Sequence, residues 1–258
     1  MTLRPTTLAL ATLILSLPAT SFAQTKTDGL WRGTGGAALS VTSGNTSSNS
    51  LLLNAEATKA TLDDKISLAA AIQRAQNKSG GQTETTADKW SLAGQYDRNL
   101  SQRLFAFGKL GLESDKLVDL DLRTAVAGGL GYHVIATDST SFDIFGGAGY
   151  TTDSYGSTQT IGGKSDTRFS RASVYLGESS SHKLSDTVSV QQRLDLYPGV
   201  SGDKAVLAKF SAGLSVAMSS TLSLNVGLID SYNSKPPATR KKNDVGLFTG
   251  INVKFGAI

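Results

Sequence analysis

The chain has 258 residues, no cysteine and a formal net charge of +4, and Gly, Ser and Thr together supply a third of its residues. Only 18% of the residues are charged, against about 25% in ordinary soluble domains, whereas 39% are hydrophobic. These values exclude a coiled coil, a disulfide-stapled scaffold and a disordered chain. A charge excess this small and dispersed gives no nucleic-acid-binding footprint.

The first 23 residues have the pattern of a cleavable secretory signal. Arg4 supplies a positive charge, residues 8–17 are largely apolar, and Ser21-Phe22-Ala23 places small residues around a cleavage step. The apolar stretch is shorter than the ~20 residues of a membrane-spanning helix, which makes a transmembrane anchor the weaker interpretation. We therefore expect residues 1–23 to be removed on export across the inner membrane, leaving one domain of residues 24–258.

Alternation of apolar and polar residues with period 2 runs through this domain. Leu222, Leu224 and Val226, for example, alternate with Ser223 and Asn225. The alternating segments have about ten to fourteen residues, which suits a tilted membrane-spanning strand better than a globular strand of about five or six. The pattern predicts twelve strands, in chain order 31–42, 50–60, 65–77, 86–98, 103–114, 121–135, 141–152, 167–179, 186–197, 204–217, 221–233 and 243–255.

The connections between these strands alternate between short and long, as in outer-membrane barrels with short periplasmic turns and longer external loops. Such a sheet must close, because in lipid every backbone N–H and C=O needs a partner within the protein. We therefore predict an all-β fold, a transmembrane antiparallel up-and-down β-barrel of about twelve strands. The predicted long connections are 43–49, 78–85, 114–120, 153–166, 198–203 and 234–242; 153–166 is expected to be a flexible loop around Gly162-Gly163.

Aromatic residues near the strand ends predict two interfacial girdles. Those expected near the periplasmic ends are Trp31, Tyr96, Phe105, Tyr132, Phe142 and Phe255. Those expected near the outer ends are Tyr150, Phe169, Tyr197 and Tyr232.

Charged residues on the polar faces of the strands are candidates for the lumen or the pore mouth. A twelve-stranded barrel is wider than an eight-stranded one that side chains fill, and narrower than a sixteen-stranded porin. An aqueous channel and a lumen filled by side chains are therefore both compatible with the pattern. We also expect Asp97 and Arg103 to pair across a tight turn. The candidate lumen charges are Glu56, Glu113, Asp115, Asp121, Arg123, Arg193 and Asp195.

Three further patterns have alternative interpretations. His133 and His182 could serve a barrel hydrolase, although both fall at periplasmic strand ends, away from the outer leaflet. The acidic residues around 113–121 could bind a divalent cation, but their spacing matches no metal loop and a solvated charged loop is favoured. A basic loop could contact lipopolysaccharide phosphates or only keep the loop soluble; its cations are Lys235, Arg240, Lys241 and Lys242.

Several sequence elements resemble the salt-induced outer-membrane protein (YdiY-like) family over essentially the whole mature chain. The resemblance implies an outer-membrane β-barrel without an established activity, and it supplies no catalytic residues. The matching elements are Trp31-x-Gly33, Ser43-Gly44-Asn45-Thr46, the block from Tyr96-Asp97-Arg98 to Arg103-Leu104-Phe105, Glu113-x-Asp115, Leu122-Arg123 and Gly129-Leu130-Gly131-Tyr132.

We therefore expect a non-enzymatic outer-membrane barrel that is either a narrow passive channel or an envelope-structural protein. It is expected to be a monomer without cofactor or metal, in contact with outer-membrane lipid and lipopolysaccharide and, during biogenesis, with the barrel-assembly machinery. The alternatives are a barrel-embedded hydrolase of lipid or peptide, and a soluble periplasmic β protein that binds a ligand.

Overall fold

The computed structural model describes residues 26–42, 46–79, 82–236 and 241–257. The predicted signal sequence, residues 1–23, lies outside them. Lys116–Val118 forms a short 3-10 helix, and the other described elements are strands. The strands are β1 (Trp31–Thr42), β2 (Thr46–Ala60), β3 (Asp64–Ser79), β4 (Gln82–Asn99), β5 (Leu104–Asp115), β6 (Leu120–Ala136), β7 (Thr140–Ile161), β8 (Lys164–Lys183), β9 (Val188–Pro198), β10 (Val206–Ala217), β11 (Leu222–Asn233) and β12 (Asn243–Gly256).

The strands form a closed antiparallel barrel, which confirms the predicted fold. Each strand pairs with the next along the chain, and β12 pairs with β1 to close the sheet. At the closure Thr34 lies opposite Lys254 on one side and Glu56 on the other. Closure leaves no unpaired edge among the described strands, so their backbone polar groups are satisfied within the sheet. No helix in the described residues is long and apolar enough to cross a membrane.

The two ends of the barrel differ in their connections. At the end that we call the turn end, tight turns join β2 to β3, β4 to β5, β6 to β7, β8 to β9 and β10 to β11. The opposite end, the loop end, carries the connections that follow β1, β3, β5, β7, β9 and β11. The strands run from one end to the other in alternate directions, so β1 begins and β12 finishes at the turn end.

The prediction of a loop over residues 153–166 is wrong, because most of these residues lie in strands. Strands β7 and β8 continue past the barrel rim as a hairpin, and Ile161 pairs with Lys164 around a turn in which Gly162 and Gly163 have φ of 60° and 82°. The polar Ser/Thr composition of this stretch gave no indication that the hairpin contains a small hydrophobic core. Its buried members are Leu120, Tyr155, Ile161 and Phe169.

The strands present opposite faces to the outside and to the lumen. In β11, Leu224 and Val226 are 41% and 46% exposed, whereas Ser223 between Leu222 and Leu224 is 3% exposed. In strands of this kind the large aliphatic side chains therefore lie outside the barrel and the polar ones inside, which is the reverse of a soluble barrel.

Candidate functional site

The lumen is filled on one side by aromatic rings. Tyr175 stacks on Tyr197 with ring centroids 4.8 Å apart, and Phe107 meets Tyr175 edge-on at 5.5 Å. Phe145 also stacks on Tyr175, with ring centroids 5.9 Å apart. These rings come from β5, β7, β8 and β9, so they pack against this arc of the wall and close that half of the interior.

Three of the predicted girdle aromatics belong to the interior, and that part of the girdle prediction is wrong. Tyr197 is 7% exposed and packs in the aromatic cluster with Phe105, while Phe169 lies in the small core of the β7–β8 hairpin. Each shares the inward face of its strand with charged lumen residues. Nearness to a strand end therefore did not decide which way these rings point.

Six other predicted girdle residues lie outside the barrel wall. Trp31, Tyr96, Tyr132 and Phe255 are exposed near the turn end, and Tyr150 is exposed on β7 nearer the loop end. Tyr232, next to the inward Ser231, is partly exposed near the loop end of β11.

A charged network lies beside the aromatic rings, centred on Asp195. Lys109 Nζ lies 3.2 Å from Asp195 Oδ1, and Arg193 donates to both carboxylate oxygens at 2.9 and 3.0 Å. The Tyr175 hydroxyl donates to the same carboxylate. Asp195 is completely buried, and four donors to one buried carboxylate compensate its loss of hydration.

A second network lies nearer the loop end. Arg123 binds Asp153 through two hydrogen bonds of 2.6 and 3.0 Å, and Arg171 bridges Asp153 at 2.8 Å to Asp203 at 2.6 Å. Glu113 lies 3.8 Å from Arg123. This network ties the β9–β10 loop, which carries Asp203, to the barrel wall.

The remaining predicted lumen charges have different surroundings. Asp115 is buried and accepts a hydrogen bond of 3.0 Å from the Leu117 N–H. Asp121 is exposed at an irregularity in the β6 register, at the loop end. Glu56 is buried on β2, on the side of the lumen away from the aromatic cluster.

The other half of the lumen is open. A cavity of about 210 Å³ lies against β1–β4 and β9–β12. Its charged lining residues are Glu56, Lys89 and Lys209. The prediction of lumen charges missed Lys209, although it shares a strand face with Ser211 and Ser215, and this parity is the signal that could have revealed it. Small inward residues keep the space open, among them Ala69, Ala71, Ala93, Ser91, Ser211, Gly213, Ser215 and Gly250.

The predicted pairing of Asp97 with Arg103 is wrong. Asp97 points into the lumen and lies 3.1 Å from Lys65 of β3, whereas Arg103 lies in the turn and donates to the Tyr132 hydroxyl at 3.3 Å. The two side chains therefore leave the hairpin on different faces.

The histidines contact groups near the turn end. His133 Nδ1 lies 2.7 Å from Asp143 Oδ1 and its ring stacks on Phe105 at 4.7 Å, while His182 Nδ1 lies 3.4 Å from the Thr140 hydroxyl. Over the described ranges, no group of three or more His, Cys, Asp or Glu side chains is placed to hold a metal ion.

The basic loop before β12 is described only in part. Lys235 Nζ donates to the backbone carbonyl of Asp203, and Lys241 and Lys242 are exposed. Arg240 lies outside the described residues.

These features define a closed twelve-stranded β-barrel with a lumen that is filled on one side and open on the other. The chain belongs to the family described as "Protein of unknown function, DUF481", whose model matches residues 35–255. No curated protein matches the sequence. The resemblance to salt-induced outer-membrane proteins in particular stays a prediction.

Similar solved structures include two membrane proteins. The NanC porin is 10% identical, with 89% of this chain and 100% of that chain covered and a TM-score of 0.47. An outer membrane channel from Pseudomonas putida F1 is 11% identical, with 99% and 100% covered and a TM-score of 0.49.

Proposed function

We propose that this protein is an integral outer-membrane β-barrel that acts as a narrow passive channel. The observation that carries the proposal is the inverted barrel, apolar outside and polar inside, with open space along one side of the lumen. A signal for export, expected from residues 1–23, would bring the chain to the envelope compartment in which such barrels insert.

The outer face supports a membrane location on energetic grounds. Soluble monomers rarely expose a continuous apolar patch above a few hundred Å², whereas here nearly every strand exposes large apolar side chains. Such a belt is unfavourable in water at roughly 25 cal/mol per Å² and costs nothing against lipid chains. Members of the belt include Leu68, Ile72, Leu92, Leu110, Leu130, Leu176, Leu224, Val226, Leu247 and Ile251.

The filled half of the lumen gives the channel its wall. The networks around Asp195 and Asp153 fix long side chains on β5–β9, so these side chains are held away from the open half. The opposite arc carries small residues. A solute would therefore pass between this fixed wall and an arc of mostly small residues that also carries Glu56, Lys89 and Lys209.

Neither alternative class gains support from a specific contact. In the described residues the hydrogen bond and ring contact of His133 are with Asp143 and Phe105, and the hydrogen bond of His182 is with Thr140, none of which supplies the serine nucleophile that a barrel hydrolase needs. A soluble ligand-binding protein would need a polar outer face. Lipopolysaccharide remains a proposed partner of Arg240, Lys241 and Lys242, whereas the Lys235 ammonium donates to the backbone carbonyl of Asp203.

Conductance in planar bilayers tests the proposal. Folded protein, recognised by slower or faster gel migration before heating, is expected to produce discrete current steps. Ala93→Trp places a large ring in the open half and should reduce the step size, whereas Leu92→Trp on the outer face serves as the matched control and should leave it unchanged. Absence of current steps from folded wild-type protein would refute the channel and leave an envelope-structural role.

A further inference from the structure

Two buried lysines line the open half of the lumen from different walls. Lys209 of β10 is 1% exposed and Lys89 of β4 is 7% exposed, and both border the cavity. Among the described residues, neither ammonium group takes part in an ion pair or a hydrogen bond. Lysines are rarely buried to this extent without a partner.

Asp195 and Asp153 are already engaged by other cations. Asp195 accepts from Lys109 and Arg193, and Asp153 lies between two guanidinium groups. Glu113 lies 3.8 Å from Arg123. Among the described residues that line the cavity, two ammonium groups therefore face a single carboxylate, Glu56, and an anion in the cavity would offset this excess of positive charge.

On the basis of the proposed channel, we propose that this passage selects small anions and that Lys209 and Lys89 form its selectivity filter. An anion passing the filter would offset the excess positive charge of the lining residues. Where positive charge dominates between low-dielectric walls, anions are concentrated by ~10-fold or more. Small carboxylates and halides are the class of solute that this arrangement fits.

Neutral donors around the lysines suit the same solutes. Gln73 carries an amide group at the cavity, and Ser211 and Ser231 carry hydroxyl groups. Amide N–H and hydroxyl donors can replace the water around an anion without adding charge. The filter can thus bind anions weakly enough to release them.

The charge along the passage is unequal from end to end. Lys209 lies close to Val206, where β10 begins at the loop end, whereas Glu56 lies close to Ala60, where β2 ends at the turn end. Glu56 is the carboxylate among the described cavity-lining residues. It is therefore placed to oppose anion passage at the turn end, and its removal should strengthen the selectivity.

The reversal potential in a KCl gradient across a planar bilayer tests the filter. The wild-type protein should favour Cl⁻ over K⁺, and Lys209→Gln and Lys89→Gln should each lower the permeability ratio by about twofold or more. Glu56→Gln should raise the ratio. Lys59→Gln, which removes an outward lysine of β2, is the matched control and should leave it unchanged. At 1 M salt, where the Debye length is about 3 Å, the preference should shrink.

The outcomes separate the filter from the channel. Current steps without anion preference, or with a preference that neither glutamine variant changes, would overturn the filter while the channel stands. Absence of current would overturn the channel and the filter with it. If Lys209→Gln does not fold, Lys209→Arg should fold and retain the anion preference. Lys89→Gln should still lower the permeability ratio.

Discussion

Arg123 and Asp153 lie directly opposite each other on β6 and β7 and join these strands by two parallel hydrogen bonds inside the lumen, from Nε to Oδ1 at 2.6 Å and from Nη2 to Oδ2 at 3.0 Å. Asp153 also accepts from Arg171, which in turn binds Asp203. One carboxylate thus holds two guanidinium groups and, through them, a loop. The wall of the proposed channel depends on this arrangement.

We expect Asp153→Ala to destabilise the barrel strongly. The substitution leaves Arg123 and Arg171 buried with less compensation, and breaking a buried pair from one side costs about 3–5 kcal/mol. Urea unfolding in lipid vesicles or micelles would measure the change as a lower midpoint.

Asp166→Ala is the matched control for this prediction. Asp166 pairs at 2.9 Å with Lys164, whose side chain is 70% exposed, and exposed pairs contribute about 0–1 kcal/mol. Equal losses in the two variants would show that the Asp153 network does not support the fold.

The strands could be predicted because the outer face is continuous. Each strand presents apolar side chains along one face over the part that forms the barrel wall, so alternation marks its position. The predicted first strand, 31–42, coincides with β1. The extension of the β7–β8 hairpin was not predicted, because beyond the rim its strands no longer need an apolar outer face.

The contents of the lumen could be predicted only in part. Parity along β9 places Tyr197 on the same face as Asp195, so the inward direction of this ring was present in the sequence. The sequence did not show which residue pairs with Asp195, because Lys109 lies 86 residues earlier and meets it only across the closed barrel. Which inward side chains meet depends on strand tilt and closure, and alternation carries no information on either.

A close approach of β6 and β7 predicts a second stability effect. A Cβ atom on Gly129 would lie 2.1 Å from the Gly146 carbonyl oxygen, and one on Gly147 would lie 2.1 Å from that of Gly128. Backbone atoms of a paired strand cannot move aside as a flexible side chain can. Gly129→Ala and Gly147→Ala should therefore each lower the free energy of unfolding by about 1–3 kcal/mol. The change would be measured as a lower urea midpoint.

Gly108→Ala is the control for these glycines. A Cβ atom there meets nothing within 4 Å. The change should be neutral or stabilising by about 0.5 kcal/mol, because glycine loses more chain entropy on folding than alanine does. A similar loss at Gly108 and Gly129 would contradict the role assigned to the strand contact.

An ion pair just before β1 predicts a pH effect. Arg32 donates to both carboxylate oxygens of Asp28 at 2.7 and 2.6 Å and, with the Leu30 N–H, holds the pKa of Asp28 well below its ordinary value of 3.8. Because the pKa of Asp28 is lowered in the folded protein, the ion pair stabilises the chain just before β1 at pH values above 3.8. This stabilisation is lost as the pH falls through the lowered pKa.

Carboxyl NMR of labelled protein would follow this titration. Arg32→Gln should raise the pKa of Asp28 toward 3.8. Arg74→Gln removes an exposed arginine near the other end of the barrel and should leave the Asp28 titration unchanged. A low titration midpoint that persists in Arg32→Gln would assign the shift to the backbone instead.

Single cysteines along β11 test the inverted barrel directly, because the chain contains no cysteine of its own. Leu224 and Val226 lie on the outer face, and Asn225 between them lines the cavity. A fluorophore attached to Leu224→Cys or Val226→Cys should be quenched by brominated lipid chains and protected from iodide in the water. At Asn225→Cys the order should reverse, since this position faces the lumen. Equal quenching by lipid at all three positions would mean that the strand does not separate hydrocarbon from an aqueous interior, and quenching by iodide at Leu224 and Val226 would remove the membrane from the proposed function.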